Sequence, residues 1–141
     1  MKFLLANETN VPTEPIQQGI EDYISITNVT TTVIPIELKE ITGKVRDLVE
    51  PVVGAILYVP EEDRDRKLEE LMTVIRETED KIREFFLIIH SEQEIDEIEE
   101  AIILGRLSGR KPMILSDAKG FPYHEIFRYS PISKHQFETV S

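Results

Sequence analysis

Residues 85–115 constrain the fold most, because they read as one complete unit of strand, helix and strand. The apolar run at residues 85–89 is continuous, which is typical of a strand covered on both faces in a parallel sheet. Ser91 and Glu94 match a capping box, so we expect the helix to begin there. Pro112 ends the helix before a second apolar strand. A parallel pair of strands requires a crossover of this length.

Within the predicted helix, apolar residues recur at spacings of three and four. This stripe consists of Ile95, Ile98, Ile102 and Gly105. Acidic residues crowd the first half of the segment and basic residues follow at its end, an order that suits the helix dipole. The spacing therefore predicts that the isoleucine stripe packs against the sheet.

The rest of the chain repeats the alternation of strands and helices. Further strands are predicted at residues 1–6, 26–38 and 52–59, and helices from Thr13, near Thr42, and from Pro60 to about residue 84. Gly54 and Ala55 are expected to let a helix approach the third strand closely. This order is the pattern of a doubly wound α/β domain.

Pro35 lies in the second predicted strand and donates no backbone hydrogen bond, so that strand belongs at an edge of the sheet. We therefore predict a single three-layer domain over residues 1–116, with a mostly parallel five-stranded sheet. The flavodoxin-like strand order 2-1-3-4-5 places the second strand at the edge, as Pro35 requires.

Residues 117–141 form an extension of different composition. Its acidic and basic residues balance, and it holds half of the aromatic residues: Phe121, Tyr123, Phe127, Tyr129 and Phe137. We expect this extension to pack on its own domain, on a partner subunit or over a site, since aromatic residues are enriched at interfaces. A homo-oligomer is accordingly predicted.

Composition excludes several classes of function. The net charge of −11 argues against nucleic acid and against an anionic membrane as partners. The chain has no cysteine, which removes thiol catalysis and zinc–thiolate sites. The apolar run near Met1 is too short for a signal peptide, and no run is long enough to span a bilayer, so we expect a cytoplasmic protein.

A ligand site is expected outside the carboxyl ends of the strands, where open α/β sheets bind their ligands. The polar residues that follow the predicted strands are the ligand-binding candidates: Asn7, Glu8, Thr9, His90, Ser91, Asp117 and Lys119. No metal ion is expected and no cofactor is specified.

Each candidate also has a structural interpretation. His90 suits a general base or a metal ligand, or a histidine hydrogen-bonded to a neighbouring loop. Ser91 is a nucleophile only with a base beside it, and otherwise a helix cap. Asp117 with Glu8 suits a magnesium ion, or Asp117 belongs to a turn. Lys119 would either bind a phosphate group or be exposed to solvent.

Several familiar sites are missing from the sequence. No glycine follows the first strand, so the dinucleotide-binding fingerprint is absent, and no P-loop occurs. A response-regulator receiver would need an aspartate where the third strand ends, and this chain has Tyr58, Val59 and Pro60 there. No tryptophan is present to flank a flavin.

An acidic helix followed by Gly109, Arg110, Lys111 and Pro112 and then an apolar strand is similar to the end of nucleoside deoxyribosyltransferase and Toll/interleukin-receptor-like domains. The similarity covers only this short stretch. It implies that Glu99 or Glu100 acts on a ribosyl bond.

Three hypotheses follow from the sequence. The first is binding of a small anionic or nucleotide-like ligand at the strand carboxyl ends, where helix N-termini offer free N–H groups. Acidic residues crowd the same helix ends and count against an anion. The second is a non-enzymatic dimeric module that uses the aromatic extension, and the third is an N-ribosyl hydrolase or transferase.

Overall fold

The computed structural model describes residues 2–25 and 31–129. The strands are β1 (Lys2–Asn7), β2 (Thr32–Pro35), β3 (Val52–Pro60), β4 (Ile82–His90) and β5 (Met113–Ser116). The helices are α1 (Thr13–Ser25), α2 (Ile41–Asp47), α3 (Arg64–Thr78), α4 (Glu97–Arg106) and α5 (Tyr123–Tyr129). Short 3-10 turns, Leu38–Glu40 and Glu61–Asp63, precede α2 and α3.

The five strands form one sheet in the order β2-β1-β3-β4-β5, and all four pairings are parallel. This order confirms the predicted three-layer flavodoxin-like α/β fold. Pro35 pairs in register with Leu5 at the end of β2, which is an edge strand as the proline predicted.

Alternate residues of each strand feed two cores on opposite faces of the sheet. In β1, Leu4 and Ala6 join the core that α2, α3 and α4 cover. Phe3 and Leu5 join the core covered by α1 and α5. Because side chains along a strand alternate between faces, a strand buried on both faces must be apolar throughout. Both cores therefore follow from the continuous apolar runs of the sequence.

The boundary between α3 and β4 differs from the prediction. We expected a helix from Pro60 to about residue 84, but α3 ends at Thr78 and β4 begins at Ile82. The backbone N–H of Lys81 closes a turn onto the carbonyl of Thr78 at 2.9 Å. Ile82 then pairs with Val52 of β3. The spacing of Ile82 in the sequence fits a helix, but its pairing with Val52 places it in the sheet.

The start of α4 also differs from the prediction. The capping box at Ser91 does not form, because α4 begins at Glu97 and the side chain of Asp96 accepts a hydrogen bond from the N–H of Glu99 at 2.8 Å. The Ser91 hydroxyl bonds instead to the backbone of Gln93, at 2.9 and 3.1 Å.

The predicted stripe of α4 was wrong in its direction. Ile98 and Ile102 are 74% and 55% exposed, whereas Ile103 and Leu107 are buried. Ile95 lies before the helix, so its position does not follow the helical period. The segment carries two rows of apolar residues along the helix. In the structure α4 buries the row that includes Ile103.

The described part of the C-terminal extension packs on the domain. Phe121 and Tyr123 contact the core beneath α1, and Ile126 of α5 is buried in it. The side chains of Phe127 and Tyr129 and all of residues 130–141, including Phe137, lie outside the described part. The predicted division at residue 117 stays a prediction.

None of the helices in the described ranges combines the length and the apolar character needed to cross a bilayer. The expected cytoplasmic location stays a prediction.

Candidate functional site

The carboxyl ends of β3, β4 and β5 border a depression that is open to solvent. Its lining consists of Glu61, Glu62, His90, Ser91, Glu92, Gln93, Asp117 and Ala118. The register explains why these residues meet: β3 ends at Pro60 opposite His90, and β5 ends at Ser116 opposite Ile89. Three predicted site residues, His90, Ser91 and Asp117, therefore lie together.

Asp117 is the centre of the hydrogen-bonding network in this depression. Its side chain is only 10% exposed. One carboxylate oxygen, Oδ1, accepts from the backbone N–H of Ser91 at 3.0 Å. The other, Oδ2, lies 2.6 Å from Nδ1 of His90 and also accepts from the hydroxyl of Tyr58. Asp117 thus holds the ends of β3 and β4 to the loop after β5.

These contacts decide the ionisation of Asp117. Burial by itself raises the pKa of a carboxyl, but the hydrogen bonds from Tyr58, His90 and the backbone of Ser91 outweigh it and hold the pKa of Asp117 below its usual value. Asp117 is therefore a carboxylate at neutral pH and can only accept hydrogen bonds. It follows that Nδ1 of His90 carries a proton and donates.

His90 is the most accessible member of the network. Its side chain is 49% exposed at the lining of the depression. With Nδ1 protonated and bonded to Asp117, the neutral imidazole has its lone pair on Nε2. No partner for Nε2 is found among residues 2–25 and 31–129. The second nitrogen is thus available to accept a hydrogen bond or a proton.

Tyr58 is a member of the network that the sequence analysis missed. Its ring is buried beneath the depression, and its hydroxyl lies 3.2 Å from Nδ1 of His90. Burial, followed by the hydrogen bond to Asp117, raises the pKa of Tyr58, so the phenol stays protonated and donates to the carboxylate. The sequence feature that could have indicated this role is a tyrosine, with its polar hydroxyl, near the end of an otherwise aliphatic strand.

Asn7 and Thr9 do not join the depression, because they organise the loop after β1. The Asn7 amide donates to the carbonyl of Val11 at 2.6 Å and to the hydroxyl of Thr13 at 3.0 Å. Its Oδ1 accepts from the N–H and the hydroxyl of Thr9, at 2.9 and 2.6 Å. This closed set of bonds shapes the entry to α1.

Glu8 has different partners from Asp117. Its carboxylate accepts from the N–H of Leu38 at 3.3 Å and lies 3.6 Å from Nζ of Lys67. No group of three or more His, Asp or Glu side chains that suits a metal ion occurs in the described residues. The alternative of a magnesium ion between Glu8 and Asp117 has no geometric support.

Lys119 and the helix glutamates also lie outside this lining. Lys119 is exposed and 3.3 Å from Glu94. It lines a separate depression beside β5 together with Phe121. Glu99 is paired with Arg64 of α3, and Glu100 belongs to neither lining.

The charge of the lining is negative. Glu61, Glu62 and Glu92 surround the network, and among the residues that the structure describes no Lys or Arg belongs to the lining. Carboxylates attract cations and accept hydrogen bonds from hydroxyl and amino groups, but they repel phosphates and other anions. The site can therefore accept hydrogen bonds from a ligand at several points.

Comparison of the chain with protein-family models, with curated proteins and with solved structures found no match. The fold and the strand-end network define a flavodoxin-like α/β domain with an Asp–His–Tyr cluster at the sheet edge.

Proposed function

We propose that this protein binds a small ligand at the carboxyl ends of β3, β4 and β5, with His90 as the central ligand contact. The observation that carries the proposal is the bond between Nδ1 of His90 and the carboxylate of Asp117. A buried carboxylate that orients an exposed imidazole leaves Nε2 as an acceptor of defined direction. This arrangement suits recognition of a ligand hydroxyl or amino group, or transfer of its proton.

The acidic lining selects among ligand classes. An anionic ligand would face Glu61, Glu62 and Glu92, and none of the described lining residues is basic and able to offset them. A neutral or cationic ligand rich in hydrogen-bond donors fits better. Of the nucleotide-like ligands expected from the sequence, a nucleoside, whose sugar hydroxyls and base amino group donate, is therefore preferred to a nucleotide.

Native mass spectrometry of the purified protein is the first experiment, because a co-purified mass lost on denaturation would identify the ligand class. Calorimetric titration with adenosine, AMP and putrescine then tests the charge argument. We expect adenosine or putrescine to bind more tightly than AMP. Preference for AMP would contradict the ligand class, and the absence of both a bound mass and any binding would contradict the site.

The variant His90→Gln tests the role of the imidazole. We expect its affinity for the bound probe to fall at least about tenfold, which corresponds to about 1.4 kcal/mol. The matched control is His124→Gln, which changes an exposed histidine bonded to Tyr23 in α1. Equal affinity of both variants would overturn the assignment of His90.

A further inference from the structure

The three glutamates of the depression carry charge that no described side chain balances. Glu61, Glu62 and Glu92 are exposed on its lining, and none of them forms an ion pair with a residue that the structure describes. Asp63 differs, because it pairs with Arg66 at 2.7 Å. The N–H groups that begin α3 and its 3-10 turn supply only about half a positive charge. The lining therefore has a negative potential.

This negative potential favours some reactions over others. Acyl transfer and phosphoryl transfer build or concentrate negative charge at the reacting centre, which enzymes stabilise with hydrogen-bond donors or cations. Carboxylates without a basic partner would raise the energy of those transition states. Cleavage of a glycosidic bond is the opposite case, because the sugar ring becomes positively charged, like an oxocarbenium ion, as the leaving group departs. The glutamates would lower the energy of that transition state.

His90 supplies a base for an attacking water molecule. Nε2 of its neutral ring holds a lone pair, because Nδ1 carries the proton and donates it to Asp117 at 2.6 Å. When Nε2 takes a second proton, the ring becomes an imidazolium beside the carboxylate of Asp117, which stabilises its positive charge. The side chain of His90 is 49% exposed, so a water molecule and a ligand can both reach it.

We infer that this site hydrolyses the glycosidic bond of a bound nucleoside, which rests on the proposed function because the nucleoside bound there is the substrate. Water gives a proton to Nε2 of His90 while its oxygen bonds to the anomeric carbon of the sugar. The bond from that carbon to the nitrogen of the base breaks. The nitrogen keeps the electron pair and takes a proton from solvent. The imidazolium then returns its proton to solvent, and the products are the free sugar and the free base.

The same glutamates suit the nucleoside before the bond breaks. Ribose offers several hydroxyl donors, and carboxylates only accept hydrogen bonds. Hydrogen bonds to the sugar hydroxyls strengthen as the ring gains positive charge. Part of the interaction is therefore realised only in the transition state, which is the condition for a binding interaction to accelerate the reaction.

Incubation of adenosine with an excess of the full chain, followed by chromatography of adenine and ribose, tests the inference. We expect both products in equal amounts, and His90→Gln should slow their release at least about a hundredfold. His124→Gln, purified in the same way, is the matched control and should keep the wild-type rate. Adenosine that binds in calorimetry but stays intact, or is cleaved equally fast by His90→Gln, would overturn the inference and leave the proposed binding intact. Failure of adenosine to bind would also overturn it, and binding of putrescine or a co-purified mass then decides whether the proposed function stands.

Removal of the negative charge tests the role of the glutamates. One variant combines Glu61→Gln, Glu62→Gln and Glu92→Gln, and it should keep the fold because all three side chains are exposed. We expect the cleavage rate of bound adenosine to fall at least about tenfold, and the affinity for adenosine to fall less. Glu125→Gln is the control, since this exposed glutamate lines the other depression, and it should keep the wild-type rate. An unchanged or faster rate in the triple variant would overturn the inference.

Discussion

The carboxylate of Asp117 lies 2.6 Å from Nδ1 of His90, although the two residues belong to the ends of different strands. The contact forms because Ser116 is the register partner of Ile89, so Asp117 comes beside His90. Parallel strands end at the same edge of a sheet, and the residues that follow them meet there. The pair therefore depends on the alignment of β4 with β5 and not on either strand alone.

Replacement of Asp117 by Asn should destabilise the domain by about 1–3 kcal/mol at neutral pH, because three donors lose an ionised acceptor. The pKa of Asp117 is lowered in the folded state, so its contribution is present above the usual Asp range near pH 4 and is lost as the pH falls through the folded-state pKa. The difference from wild type should shrink in acid. Urea unfolding at several pH values measures this, with the exposed Asp47→Asn as the control.

Tyr58→Phe removes one donor to the same carboxylate and should raise the pKa of Asp117 toward its usual value. Acid destabilisation should then begin at a higher pH than in the wild type. An NMR titration of the Asp117 carboxyl carbon measures the shift. Tyr23→Phe, which removes a hydroxyl bonded to His124, should leave that titration unchanged. An unchanged titration in Tyr58→Phe would show that the hydroxyl does not support the carboxylate.

Neighbouring isoleucines of α4 should respond very differently to truncation. Ile103→Ala creates a cavity at a fully buried position and should cost about 2–5 kcal/mol. Ile102→Ala truncates a side chain that is 55% exposed and should change the stability of the monomer by less than about 0.5 kcal/mol. Chemical denaturation of dilute protein compares the two. The reverse order of effects would support the stripe predicted from the sequence.

Gly54→Ala should be destabilising by about 1–3 kcal/mol through overpacking. An added Cβ would lie 2.8 Å from the ring of Phe3 and 3.2 Å from that of Phe86. Gly43→Ala is the matched control, because its Cβ would meet nothing within 4 Å in α2. That change should stabilise the helix by about 0.5–1 kcal/mol. Thermal unfolding distinguishes the two, and a neutral Gly54→Ala would contradict the packing of these rings.

Gly54 is a position where the local sequence did not predict which side chains pack against it. We expected its missing side chain to admit a helix, but the rings of Phe3 and Phe86 on the neighbouring strands fill the space. The space that a glycine leaves on a strand is filled by the nearest side chains, and these belong to the neighbouring strands. Strand order could be predicted from Pro35 and the apolar runs, whereas the occupant of the gap depends on register.

The sequence by itself determined the layers and the order of the sheet, because continuous apolar runs and Pro35 are local signals of burial and of an edge. It also indicated His90, Ser91 and Asp117 as residues at one edge. Only the tertiary structure decided which face of α4 is buried and that Tyr58 supports Asp117 from 59 residues away. Both depend on strand register and helix packing, which no single segment of the chain encodes.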